Sequence, residues 1–297
     1  MSLEVFRSIS PLRERLAEAR RAGGGIGLVP TMGALHRGHL GLIERARREN
    51  RTVTVSIFVN PLQFNQPQDY ERYPVNLEGD LSLSAAAGVD VVFAPPAGEM
   101  YPAPPLAVVE VSRLSDHLCG AHRPGHFRGV ATVVMKLLQI TQPDRAYFGE
   151  KDAQQLAIIE RMVRDLNVPV AIVPVATVRE PDGLALSSRN QLLSPEERQA
   201  APALYAALQA AAAAVARGER DADALRREVL ANLERHPAIR LEYLEIVGRD
   251  MQPLTSLDGP ARIAAAIWLG QTRLIDNVLL NRSSAKPGVE VEDTTGV

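Results

Sequence analysis

At 297 residues the chain is long enough for one large domain, or a large domain with a smaller companion, and either can bury a substantial core. A hydrophobic fraction of 46%, a charged fraction of 23% and a net charge of −2 are those of an ordinary globular protein, and no basic stripe interleaved with aromatics marks a nucleic-acid surface. One cysteine, Cys119, excludes an internal disulfide framework and a cysteine-rich metal centre and points to a reducing, cytoplasmic setting.

Taken in order, the first half alternates helix and strand patterns. Residues 11–22 read as a helix, 25–29 as a short apolar strand, and 38–50 as an amphipathic helix ending in a basic cluster. Residues 52–59 are a β-branched run typical of a buried parallel strand. Residues 77–87 predict a helix, 89–93 and 107–111 strands, 130–140 an apolar helix, 145–148 a strand, 153–166 a helix and 170–175 a strand. Alternation of this kind predicts an α/β fold with a Rossmann-like parallel sheet. The pattern changes after residue 178. Residues 195–217 read as one long helix and 222–234 as another, followed by strand-like runs at 241–247, 262–269 and 274–280. The expected organisation is therefore a catalytic domain over residues 1–178, a smaller α+β domain over 179–282 with its boundary in the loop 177–189, and a polar, disordered tail over 283–297. The N-terminus lacks the apolar core of a leader peptide, and no run of 18 apolar residues predicts a membrane span.

Five polar motifs stand at the carboxyl ends of predicted strands or at the helix starts that follow. The first, Pro30-Thr-Met-Gly-Ala-Leu-His36-Arg-Gly-His39, joins the first of these strands to the next helix. Such a junction presents free backbone N–H groups and the positive end of a helix dipole, which suits phosphate. His36 and His39 straddle the helix start, and Gly38 between them is read as admitting close approach of a phosphate. A histidine there is an oriented donor, neutral or charged. Metal binding is a weaker alternative, because no third ligand with metal-site spacing is nearby. The second motif, Gly149-Glu-Lys151-Asp152, precedes the helix carrying Gln155. Lysine occurs only at Lys136, Lys151 and Lys286 among 33 basic residues, so its retention at Lys151 suggests a need for a compact ammonium. Asp152 reads equally as a helix cap. The third, Leu186-Ser187-Ser188-Arg189, is either a mobile loop that closes on a triphosphate or an ordinary connector ahead of the helix signal at Ser194-Pro195. The fourth, Phe58-Val-Asn60-Pro-Leu-Gln63-Phe64, offers the uncharged amides of Asn60 and Gln63. The fifth, Arg123-Pro-Gly-His126-Phe-Arg128-Gly129, is basic and opens a helix, which suits an anion. In a parallel α/β sheet all five would converge on one crevice.

His-x-Gly-His after a strand with a later Ser-Arg loop resembles the nucleotidyltransferase superfamily related to class I aminoacyl-tRNA synthetases. The ordered run PTMGALHxGH, FVNPLQF, RPGHFRGVATVV, FGEKDAQQL and DGLALSSRN, with YLEIV and TRLIDN near the C-terminus, resembles the pantoate–β-alanine ligase (pantothenate synthetase) family over residues 1–282. The resemblance implies a Rossmann-like domain with a C-terminal lid and a homodimer. It also implies Mg-ATP, (R)-pantoate and β-alanine as substrates, joined through a pantoyl adenylate. By matching position it places Met32, Gly33, Ala34, Leu35, His36, Arg37, Gly38 and His39 against ATP, with His39 as the family's proton donor. Gly149, Glu150, Lys151, Asp152, Val178, Leu186, Ser187, Ser188 and Arg189 complete that site, and Gln63 and Gln155 hold pantoate, with Gln63 also near β-alanine. Where the family reads Tyr-Pro-Arg this chain has Tyr73-Pro74-Val75. Asp80 is a candidate to assist magnesium, whose protein ligands stay open.

Two rivals share the His-x-Gly-His junction: a transferase that moves a nucleotide onto a phosphate, and a non-catalytic nucleotide-binding module. Dependence on an amine separates the ligase from the transferase. The full set His36, His39, Lys151 and Arg189 argues against the module, which needs no complement of α-phosphate donors.

Overall fold

A computed structural model describes residues 3–65, 70–71 and 73–280. The expected tail over 283–297, with Lys286, lies outside the described residues.

The first half forms a six-stranded, all-parallel sheet in the order β1-β4-β3-β2-β5-β6. The strands are β1 (Glu4–Phe6), β2 (Ile26–Thr31), β3 (Thr52–Ile57), β4 (Val91–Phe93), β5 (Arg145–Gly149) and β6 (Ala171–Val175). Every residue of β3 is buried, as its β-branched sequence requires in the middle of a sheet covered on both faces. Helix α1 (Ile9–Arg21) buries Leu12, Leu16 and Ala19, and α2 (Arg37–Glu49) buries Leu42, Ile43 and Ala46, in each case one stripe at helical spacing. Next come α3 (Leu77–Ala86) and two single turns, α4 (Ala97–Met100) and α5 (Cys119–His122). Helices α6 (His126–Thr141) and α7 (Ala153–Asp165) follow. The core of this half joins α1, α6 and α7 to one face of the sheet, while α2 and α3 cover the other. Chain order reverses between β2 and β5, so a crevice opens beyond their carboxyl ends.

The second half holds α8 (Pro195–Ala200), α9 (Ala203–Ala216) and α10 (Ala222–Leu233). They precede an antiparallel sheet of β7 (Ile239–Val247), β8 (Ala261–Leu269) and β9 (Thr272–Leu280). The helices bury a separate core against this sheet. Register shifts between Leu241 and Tyr243, and the bulge turns Glu242 onto Arg273 and Trp268. The α/β class and the smaller C-terminal α+β unit thus match the expectation.

Two expected elements are corrected. The helix predicted over residues 195–217 is broken, because Pro202 has no N–H to donate and caps a new helix instead. By length and composition Pro195–Ala216 is apolar enough to cross a membrane, yet its Leu204, Ala207, Leu208 and Ala211 are packed in the C-terminal core. Residues 107–111 form no strand. The edge of β4 is occupied by β1, a three-residue strand too short to be legible, and Val109 instead donates its N–H to Thr132 Oγ1 (3.0 Å).

Candidate active site

The five motifs do converge. A cleft of about 280 Å³ lies over the carboxyl ends of β2 and β5, and each motif contributes to its wall. A smaller lobe of about 50 Å³ continues past Lys151 toward β7–β9.

The loop after β2 is shaped before it meets any ligand. Gly33 and Ala34 take positive φ (86° and 50°), and the carboxylate of Asp80 accepts from the N–H groups of Ala34 (2.9 Å) and Leu35 (2.7 Å). Both Asp80 oxygens are thereby engaged and the residue is buried, so it is an anchor of the loop rather than a free ligand for magnesium. His36 caps α2. Its Nδ1 accepts from Gly38 N–H (3.1 Å), while His39 Nδ1 accepts from His36 N–H (3.2 Å), a capping box built from two imidazoles. With both Nδ1 atoms accepting, each neutral ring carries its proton on Nε2. The rings sit 4.1 Å apart at the cleft. Burial lowers the pKa of His36, helped by the charge of Lys151. His39 falls to about 3, through burial first and then the neighbouring His36 and Lys151. The pair is therefore two neutral Nε2–H donors aimed by the backbone. Gly38 lines the cleft as expected and has a further role: a Cβ there would stand 2.8 Å from His36 Cε1, so the glycine also makes room for the ring.

Lys151 follows β5 in a single 3₁₀ turn, Glu150–Asp152. Its ammonium faces the cleft. Burial lowers its pKa, Asp152 opposes this and Arg189 adds to it. Asp152 also faces the cleft and makes no side-chain cap on α7. Leu186, Ser187, Ser188 and Arg189 line the opposite wall with Val178. Their segment is no loose connector. Leu186 N–H donates to Val178 O (3.0 Å), Arg179 and Ala185 form a β-bridge, and Arg179 clasps Asp276 of β9 with two bonds of 2.6 and 2.9 Å.

Gln63 and Gln155 both reach the cleft. Asn60 does not. It is fully buried behind Gln63, donating to Gln63 Oε1 (3.2 Å) and Gly129 O (3.1 Å) and accepting from Tyr101 (2.9 Å). His126 Nδ1 donates to Gln63 O (2.8 Å), which leaves Nε2 to accept from Arg123 (3.1 Å). Burial and the charge of Arg123 push His126 down to about 4. Arg123 and His126 face both lobes. Gly33, Ala34, Leu35, Arg37 and Glu150 stand off the cleft wall, and Arg37 is exposed. Sequence reading missed the apolar floor made by Phe148, Val130, Val133, Val134 and Leu137, which read simply as core. It also missed Tyr73 on the wall and Arg273, Asp276 and Asn277 in the smaller lobe.

The family model for pantoate-β-alanine ligase matches residues 4–279. The chain belongs to the pantoate–β-alanine ligase family. It is 52% identical over 279 residues to the pantothenate synthetase of Moorella thermoacetica, covering 94% of this chain and 99% of that one. The crystal structure of pantothenate synthetase from Thermus thermophilus superposes with a TM-score of 0.88 at 49% identity, covering 93% of this chain and 98% of that one. A ligase of the same name from Francisella tularensis, solved with β-γ ATP and β-alanine, gives a TM-score of 0.76 at 37% identity over 94% of this chain and 98% of that one. For this ligase the low pKa values of His39 and His126 set a stability profile. Their folded values lie below the unfolded value near 6.5, so on acidification the unfolded chain takes up protons first. Stability is expected to be complete above about pH 6.5 and to fall toward pH 4, by up to about 1.4 kcal/mol per pH unit for each histidine. Urea unfolding at pH 7, 6 and 5 checks this, and His126→Asn should flatten the slope.

Proposed function

We propose that the protein joins (R)-pantoate to β-alanine with consumption of ATP, releasing pantothenate, AMP and pyrophosphate through a pantoyl adenylate. Family membership supports the overall reaction. One geometric observation carries the mechanism: His36, His39, Lys151 and Arg189 surround one cleft in which two amides, Gln63 and Gln155, stand over an apolar floor. That floor suits the paired methyl groups of pantoate, and the amides suit its hydroxyl and carboxylate oxygens.

A carboxylate does not acylate an amine at neutral pH, because oxide is too poor a leaving group. Attack of the pantoate carboxylate oxygen on the α-phosphorus of ATP makes a mixed anhydride and expels pyrophosphate. Charge grows on phosphate oxygens as this happens. The Nε2–H groups of His36 and His39 meet it without reorganising, because the backbone already fixes their tautomers. Lys151 and Arg189 supply positive charge. The neutral amine of β-alanine then attacks the acyl carbon, and AMP departs. No covalent enzyme intermediate is required. Magnesium would enter on the triphosphate. Among the described residues no cluster of three His, Cys, Asp or Glu side chains could hold it, and Asp152 is the carboxylate at the cleft.

Incubation with ATP, pantoate and pyrophosphatase tests this directly. Phosphate should appear without β-alanine in the first turnover and continuously with it. A stable nucleotide-linked product that is indifferent to amine would instead establish a transferase. Gln155→Ala is expected to weaken pantoate binding about tenfold or more, the loss left when a buried hydrogen-bond partner is removed. ATP binding should be little changed. Calorimetric titration of each substrate checks it, and the reverse pattern would remove Gln155 from the acid pocket.

The same proposal assigns residues 1–178 to catalysis and 179–282 to the smaller unit, places the enzyme in the cytoplasm where its ATP is made, and gives it no nucleic-acid partner. It also takes the active form as a homodimer. The segment 107–111 carries a strand-like sequence without a partner strand among the described residues, its Val108 is nearly half exposed, and Leu106 just before it is fully exposed. A second copy presenting the same segment would cover both. Leu106→Asp should shift the mass by light scattering from dimer toward monomer.

A further inference from the structure

Among the described residues, the Lys151 ammonium has no ion pair within 4.0 Å and no side-chain hydrogen bond. With no such partner, and only longer-range attraction to Asp152 and Asp276, its aim depends on the backbone it stands on. That backbone is a three-residue turn, too short to fix itself, and what holds it comes from the far half of the chain. Asn277 of β9 donates both N–H bonds of its amide into the turn, to Glu150 O (3.0 Å) and Lys151 O (2.9 Å). The amide is itself oriented: its Oδ1 accepts from Arg262, and the residue is buried. Its backbone N–H donates to Asp276 Oδ1 (2.7 Å), and Asp276 receives the Arg179 fork from the hairpin that ends in Ser187–Arg189. Two adjacent residues of β9 thus hold two segments that line the cleft, the Lys151 turn and the hairpin ending in Ser187–Arg189.

We infer that Asn277 is a positioning residue for Lys151, setting the turn from which the ammonium reaches the triphosphate. The inference rests on the phosphate role given to Lys151 above. It assigns a task to the Leu-Ile-Asp-Asn run of β9, which is otherwise only a strand of the second sheet. An isosteric carboxylate at 277 keeps the Arg262 partner but sets oxygen against two carbonyl oxygens, so the turn must move. Displacement of a reacting group by about 1 Å costs roughly 10²-fold.

The test is a double-mutant cycle read on pantoate-dependent pyrophosphate release, with melting temperature followed in parallel. Asn277→Asp should slow release by about 10- to 100-fold, raise the KM for ATP and leave pantoate affinity within about twofold. In a Lys151→Met background the same change should slow release no further, because the group it positions is gone. Losses that multiply in the double variant would overturn the inference, and so would wild-type release from Asn277→Asp at a lowered melting temperature. If Asn277→Asp does not fold, Asn277→Ser enters the same cycle with the same outcomes. Unimpaired release from Lys151→Met would remove the phosphate role of Lys151 and the inference together, whereas slow release from Lys151→Met with multiplying losses removes the inference alone.

Discussion

Substituting His39 with alanine is expected to slow pyrophosphate release from ATP and pantoate by on the order of 10²–10³, with the fold intact, which is the usual cost of losing one preorganised donor to a developing oxyanion. The ring presents Nε2–H to the cleft because its Nδ1 is engaged by His36 N–H. Alanine removes that donor and the capping bond together. The capping loss is worth about 1 kcal/mol of stability, so a few degrees in melting temperature should accompany the kinetic defect. Since the pKa of His39 is held down to about 3, the ring is neutral throughout the working range. The wild-type adenylation rate should therefore show no inflection from this residue between pH 6 and 9. A pyrophosphatase-coupled assay across that range measures both effects. Release at the wild-type rate from His39→Ala would exclude the residue from the phosphate contact.

Much of this site is readable in the chain because parallel α/β sheets place the carboxyl ends of strands on one edge. Once residues 25–29, 52–59 and 145–148 read as strands, the motifs after them had to meet. Convergence of His39, Lys151, Gln63 and Gln155 is a consequence of topology. What the chain could not disclose were contacts between distant segments. Asp80 looks like an acid available for metal. Only the fold shows its oxygens spent on Ala34 and Leu35. Asn60 sits three residues from Gln63 and has the same amide chemistry, yet only Gln63 lines the cleft, because the Asn60 amide is spent on Gln63 Oε1 and Gly129 O. The apolar floor was invisible for a different reason: Val133 and Val134 on a helix carry the same hydrophobic signal whether they meet a sheet or a substrate. Asn277 lies 126 residues from Lys151, and no local pattern links the two.

Gly129→Ala should do more damage than its size suggests. In a helix interior the exchange alone favours alanine by about 0.5–1 kcal/mol. Here the added Cβ would stand 2.2 Å from Leu62 O, 2.5 Å from Leu62 C and 2.8 Å from Gln63 Cα. All three are backbone atoms, so no side-chain rotation relieves the clash. The 3₁₀ turn carrying Gln63 must instead retreat from α6. It is tied there by Asn60 to Gly129 O (3.1 Å) and by His126 to Gln63 O (2.8 Å), and retreat stretches both bonds. Overpacking of this kind costs about 1–3 kcal/mol, which outweighs the helix gain, so urea unfolding should show net destabilisation. Function should suffer through Gln63. Its amide moves with the turn while the Gln155 wall stays, and pantoate affinity should fall tenfold or more with ATP affinity nearly unchanged. Gly98→Ala in α4 is the natural comparison, because a Cβ there meets no atom within 4 Å, and it should leave pantoate affinity alone without lowering stability. If Gly129→Ala bound pantoate as the parent does, the close approach of Leu62 to α6 would have no part in building the acid pocket. If it bound weakly without losing stability, the turn would be shown to move freely, and the hydrogen bonds of Asn60 and His126 would not be what holds Gln63 in place.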